Sequence, residues 1–302
     1  MSGQQPKPIL IAVGHDPMDA ALQYAASDAT RVGCGLHLVN VVHDPVQGPN
    51  AVLMERADLD RAGRLALESA AEKARDLVGD RVPVTSELMQ GRVVGSLVEA
   101  ASEASSVVLQ RRPLSRLERV VTRSVSSGVA ARAHVPVISV PARWSPVRSR
   151  GVEPMVTVGV DVPDRSSHLL HLAVDISRSR DARLRIVHTW FLPGSYADFA
   201  MPPEEQARWV DRATAEIRQS LDSLAIDVPS DEVIIEVLHA SPGDALVERS
   251  RSSDLLIVGR HDPMIPFGSH LGPVARGVMR DATCPVLLAD PHRIAGEVAV
   301  QG

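Results

Sequence analysis

The sequence predicts an α/β protein built from two tandem doubly wound, five-stranded, mostly parallel sheets, and three observations carry that prediction. The first is length: 302 residues is about two domains at roughly 150 residues each. The second is an internal repeat. Leu36-His-Leu-Val-Asn-Val-Val42 matches Leu184-Arg-Ile-Val-His-Thr-Trp190 at an offset of 148, and Val107-Val-Leu-Gln110 matches Leu256-Ile-Val-Gly259 at 149. His134-Val-Pro-Val-Ile138 matches Thr283-Cys-Pro-Val-Leu287, also at 149, and Leu10-Ile-Ala-Val13 lies over Thr157-Val-Gly-Val160 at 147. Four matches in one order at near-constant spacing indicate a duplicated domain. The third is the alternation of short β-rich runs with longer segments of helical period, the pattern of a parallel sheet covered by helices.

The elements follow in order. Strands are expected near 8–14, 36–42, 82–88, 106–110 and 136–140 in the first copy, and near 155–161, 184–190, 232–238, 254–259 and 285–289 in the second. Between them, Leu67, Ala70, Ala71, Ala74 and Leu77, and later Leu169, Leu172, Ala173 and Ile176, recur at the spacing of one buried helical stripe. Pro141 to Pro154 contains three prolines among polar residues and reads as a linker. The expected boundaries are therefore an N-terminal domain at 1–142, a linker at 143–154 and a C-terminal domain at 155–302.

Composition narrows the function classes. Apolar residues at 44% and charged residues at 23% are ordinary globular values. The net charge of −5 argues against broad nucleic-acid binding, so none is expected. Arg111, Arg112, Arg116, Arg119, Arg123 and Arg132 crowd one segment, but no aromatic residue interleaves them for base stacking. Cys34 and Cys284 stand 250 positions apart with no metal-ligand spacing, and no run of about 18 apolar residues occurs. A cytoplasmic protein without a membrane span or metal is expected.

In a doubly wound sheet the ligand crevice lies beyond the carboxyl ends of the strands. In the second copy strand one ends in Gly159-Val160-Asp161. Strand four ends in Gly259, followed by Arg260, His261, Asp262 and, after nine further positions, Gly272-Pro273. Duplication, an Asp ending strand one, a G-x-x-G-x9-G-[ST] loop after strand four and the final strands Ala133-x-x-Pro136-Val137 and Ala282-x-x-Pro285-Val286 together resemble the universal stress protein family in its tandem, actinobacterial form. The resemblance covers nearly the whole chain.

It implies the family's adenine nucleotide alpha hydrolase-like fold, and in one branch of the family an ATP site. Backbone N–H groups of a glycine loop and the start of the following helix hold phosphates in that site, and the strand-one Asp contacts the nucleoside. Carried over by position, Asp161, Gly259 and Gly272 match, and Arg260 lies beside the phosphates. Two positions depart. Asp262 replaces the second glycine, where a carboxylate near phosphate costs about 1 kcal/mol per charge pair at 4 Å in water. Pro273 replaces the Ser/Thr, removing a hydroxyl and an amide donor while suiting a helix start.

In the first copy, Gln110, Pro113, Arg123 and Ser124 occupy the loop positions, and Asp16 reads as an N-cap before Pro17. That copy is expected not to bind ATP; if ATP binds, it does so in the C-terminal domain alone. The bland readings stay open beside these. Asp161 either contacts a nucleoside or caps the helix entered at Pro163, and Gly259 and Gly272 either admit phosphate or only permit turns. His168 and His171 have ligand spacing on a helix but no third ligand nearby. The aromatic loop from Phe191 to Pro203 reads as a lid, a subunit contact or packed surface.

The expected function is a regulatory stress-response module, not an enzyme, with weak or altered adenine-nucleotide binding in its C-terminal domain. The alternative is a protein-interaction module with both crevices vestigial. The resemblance further implies pairing of the two copies as an internal pseudo-dimer, and a homodimer beyond that.

Overall fold

The computed structural model describes residues 6–43, 56–111, 125–146, 153–190, 202–224, 232–260 and 271–289. The chain divides into two compact units, Met1–Val147 and Arg148–Gly302. Strands β1 (Ile9–Ala12), β2 (Leu36–Val42), β3 (Val84–Gln90), β4 (Ser106–Arg111) and β5 (Val137–Pro141) belong to the first, with helices α1 (Asp19–Val32), α2 (Arg56–Val78), α3 (Val93–Ala101) and α4 (Val125–Ala130). The second has β6 (Met155–Val160), β7 (Arg183–Trp190), β8 (Val233–His239), β9 (Leu255–Gly259) and β10 (Val286–Ala289), with α5 (Ser167–Ser179), α6 (Pro203–Ser223), α7 (Pro242–Arg249) and α8 (Pro273–Asp281).

The first sheet runs β3-β2-β1-β4-β5 and the second β8-β7-β6-β9-β10. Every neighbouring pair within a unit is parallel. A parallel pair needs a crossover, so within each unit every strand but the last is followed by a helix, and all carboxyl ends share one edge. Each of the ten expected strands is present, with ends shifted by at most a few residues.

Strand burial follows the layering. Leu10, Ile11, Leu36, Leu38, Val107 and Val108 are fully buried in the first unit, as are Val156, Val158, Ile186, Leu256 and Ile257 in the second. Strands covered on both faces need such unbroken apolar runs. The helical stripes are slightly rotated from expectation. Leu67, Ala70, Ala71 and Ala74 are buried on α2, but Val78 completes the stripe and Leu77 is exposed. On α5 the stripe is Leu169, Leu170, Ala173, Val174 and Ser177, and Leu172 and Ile176 are half-buried. Both follow from steps of four residues, which keep a 3.6-residue helix facing one way better than a final step of three.

The start of α1 also differs from expectation. It begins at Asp19 with Met18, not Asp16, at the N-cap position. Its end is closed by Gly33 at φ 73°, whose N–H donates to Ala29 O at 2.8 Å. This is the left-handed cap glycine favours. The equivalent position after α5 is Asp181 at φ 49°, and Ala182 N donates to Ser177 O at 3.0 Å, as Cys34 N does to Ala29 O at 3.1 Å. The second unit thus makes the same turn with a residue that carries a Cβ penalty there. Asp181→Gly is expected to stabilise the protein by about 0.5–1 kcal/mol, read as a raised urea midpoint at unchanged slope. An unchanged or lowered midpoint would contradict the strain.

Candidate functional site

Strand register brings the carboxyl ends of β6 and β9 together, since Gly159 pairs with Val258, and Gly259 then stands opposite Ala289 of β10. Asp161 leaves the end of β6 exposed to solvent. It caps nothing. The single 3-10 turn after it, Pro163–Arg165, has Val162 at its N-cap without a side-chain hydrogen bond, and α5 begins only at Ser167.

The carbonyl just before Asp161 is held in place. His188 Nδ1 lies 3.0 Å from Val160 O; a carbonyl only accepts, so this nitrogen carries the proton. The first unit uses Asn40 for the same purpose, its Nδ2 donating to Val13 O at 2.9 Å. Gly159 faces the other helix layer, where a Cβ would come within 2.9 Å of Leu246, so α7 packs directly on β6.

The strand-four position separates the two units most clearly. In the first it is Gln110. Its Oε1 accepts from Ala21 N at 3.2 Å, and its Nε2 donates to Pro17 O. The side chain thus occupies the start of α1, taking an amide that would otherwise face an anion. In the second unit the residue is Gly259, and among the described residues a Cβ there would have only Leu169 Cδ2, at 3.7 Å, within reach. Leu169 occupies on α5 the position Ala21 holds on α1, since Leu22 N bonds to Met18 O as Leu170 N bonds to Ser166 O. No side chain from this position covers the start of α5.

Gly272 is the N-cap of α8, with extended backbone at φ −65° and ψ 167°, and Pro273 takes the first helical position. Arg276 N is satisfied by Gly272 O at 3.1 Å, so the orphan amides of this first turn are those of Val274 and Ala275. Arg260 is buried, and its backbone N–H and its Nε both donate to Ala289 O at 3.2 Å, which fixes the chain where it leaves β9. Asp262, Pro113, Arg123, Ser124 and the loop at 191–201 lie outside the described residues. His171 Nδ1 meets Asp175 at 3.0 Å along α5. Among the described residues no three His, Cys, Asp or Glu side chains converge as a metal site.

One feature was not anticipated from sequence. Trp190 and His239, opposite each other at the ends of β7 and β8, stack at 4.2 Å, and Trp209 of α6 stacks on Trp190 at 6.2 Å, both at 15°. The Trp190 indole Nε1 is buried without a hydrogen-bond partner. The available signal was register: both residues close adjoining strands.

The geometry agrees with what the chain resembles. The model of the universal stress protein family matches residues 6–141 and again 155–290. The chain belongs to the universal stress protein family. A universal stress protein of Mycobacterium tuberculosis (strain ATCC 25618 / H37Rv) is 30% identical over 285 residues, covering 90% of this chain and 92% of the relative. A second from the same strain is 25% identical over 96% of this chain and 97% of its own length. Among solved structures, a universal stress protein from Archaeoglobus fulgidus DSM 4304 superposes with a TM-score of 0.67 at 16% identity, covering 93% of this chain and 96% of its own. Other universal stress proteins have been solved in complex with dAMP and with cAMP.

In this tandem universal stress protein the Gln110 plug has a measurable consequence. Gln110→Ala removes a buried-end amide partner and is expected to lower stability by about 1 kcal/mol in chemical denaturation, with no loss of secondary structure by circular dichroism. No change would mean that water replaces the side chain at no cost.

Proposed function

We propose that the chain is a non-catalytic regulatory module of the stress response whose C-terminal unit binds an adenine nucleotide such as ATP, while its N-terminal unit serves as a structural partner. The observation that carries this reading is the contrast between Gly259 and Gln110. One unit fills the start of its first helix with a glutamine side chain, and the other carries no side chain at the equivalent position, Gly259. Asp161 fits the role of nucleoside ligand because it is exposed at the neighbouring strand end and spends no hydrogen bond as a cap. Gly259 and Gly272 would let backbone approach phosphates, and the first turn of α8 would add two amides and the positive end of its dipole. Trp190 Nε1, a buried donor without a partner, suits a ligand acceptor on the adjoining strand. Arg260 would add positive charge beneath the phosphates from its anchored position.

A second reading has its own support. Pro273 deletes the first amide of α8, which weakens a phosphate site and favours a protein-interaction module with no nucleotide.

Calorimetric titration of the full chain with ATP decides between them. Saturable binding near one nucleotide per chain is expected, weakened about tenfold by Asp161→Ala and abolished by Gly259→Gln, which recreates the N-terminal plug. Circular dichroism of each variant verifies folding. Absence of heat at millimolar ATP from a folded, ligand-free sample would leave the interaction module standing.

A further inference from the structure

The two units keep the same pair of carboxylates and surround them differently. Glu87 of β3 and Glu236 of β8 are equivalent by register, since Glu87 stands opposite Val39 and Glu236 opposite Val187. Likewise Leu97-Val98-Glu99 of α3 matches Leu246-Val247-Glu248 of α7.

In the second unit guanidinium groups satisfy both carboxylates. Arg185 Nε lies 3.2 Å from Glu236 Oε1, Arg249 Nε donates to Glu236 Oε2, and Arg251 lies 2.7 Å from Glu248. Burial lowers the pKa of Arg185 while the Glu236 carboxylate opposes that fall, as in a partly desolvated pair. In the first unit the positions of Arg185, Arg249 and Arg251 hold His37, Ala100 and Ser102. The carboxylates remain, and Glu103 joins them where the second unit has Ser252. Three guanidinium groups have gone and one carboxylate has been added.

These positions border a cavity of about 540 Å³, lined among others by Glu87, Glu99, Glu103, His37, Ala100 and Met89. Its volume falls within the range of small-ligand sites, roughly 300–1,000 Å³. The described cations in ion-pair reach are His37, 3.3 Å from Glu87, and Lys7, 4.0 Å from Glu103. A guanidinium is the group that the second unit itself sets on the equivalent carboxylate, where Arg249 donates to Glu236.

We propose that this cavity of the N-terminal unit binds an alkylguanidinium group, with Glu87 receiving it as Glu236 receives Arg249, Glu99 and Glu103 completing the charge balance, and the alkyl part lying over Ala100 and Met89. A planar guanidinium matches a carboxylate through two parallel N–H donors, which a simple ammonium does not. The group comes either from a free small molecule or from an arginine side chain of a protein partner.

The test is titration of the full chain at low salt with agmatine and, separately, with an acetylated, amidated Gly-Arg-Gly peptide, with butylamine as the ammonium control. Saturable binding at about millimolar concentration is expected, with butylamine weaker. Agmatine equal to or better than the peptide assigns a free small molecule; saturation by the peptide alone assigns a partner's side chain. Glu87→Gln should weaken binding by about tenfold, and its side chain is 55% exposed, so folding should tolerate it. Ala100→Arg supplies the group from within, as in the second unit, and should abolish binding while leaving the melting temperature equal or higher. The proposal is overturned by no saturation with either probe at about ten times that concentration, or by binding that both substitutions leave unchanged.

Discussion

Each unit depends on a central strand that is hydrogen-bonded in parallel on both sides, β1 between β2 and β4 and β6 between β7 and β9. Parallel pairing forces a helical crossover between successive strands of a unit and by itself puts every strand's carboxyl end at the same edge. The crevice is thus a consequence of connectivity before any residue in it is chosen. What the local sequence adds is rigidity at the exit of the central strand. Asn40 and His188 reach across from the next strand to grip the carbonyls of Val13 and Val160, so the chain leaves both sheets at a defined point. Asp161, exposed, is the next residue after the held carbonyl of Val160.

Duplication makes each unit a control for the other. The same backbone position, at the end of strand four, carries Gln110 in one and Gly259 in the other, and their contacts lie on equivalent residues, Ala21 and Leu169. A helix start has orphan amides that need partners. One unit provides the partner from its own chain, and the other leaves its helix start uncovered from this position. That difference is one side chain at one backbone position, and it requires no rearrangement of the sheet.

Much of this architecture was legible in the sequence, because apolar runs and four matched segments report burial and duplication directly. Leu36 to Val42 reads as a strand and is one to the residue. Helix boundaries were less legible. Asp16 before Pro17 has the form of an N-cap, yet the cap's work is done by Gln110, a residue 89 positions from Ala21, and local propensity carries no information about such a partner. The site was legible as residue types and less so as roles. Arg260 reads as a phosphate neighbour by position, and only the fold shows its Nε turned to Ala289. The Trp190–His239 stack depends on strand register, which periodicity alone does not specify.

The two faces of the molecule's duplication therefore diverge in opposite senses. At the carboxyl-end crevice the first unit places the Gln110 side chain on the start of α1, and the second has Gly259 at that position. Around Glu87 and Glu236 the order is reversed: the second unit neutralises its carboxylate with Arg185 and Arg249, and the first presents its own beside a cavity. Where the second unit has three guanidinium groups, the first has an imidazole near Glu87 and an ammonium near Glu103. The two units therefore differ at both places through side chains borne on equivalent backbone positions, Gln110 against Gly259 and His37 and Ala100 against Arg185 and Arg249.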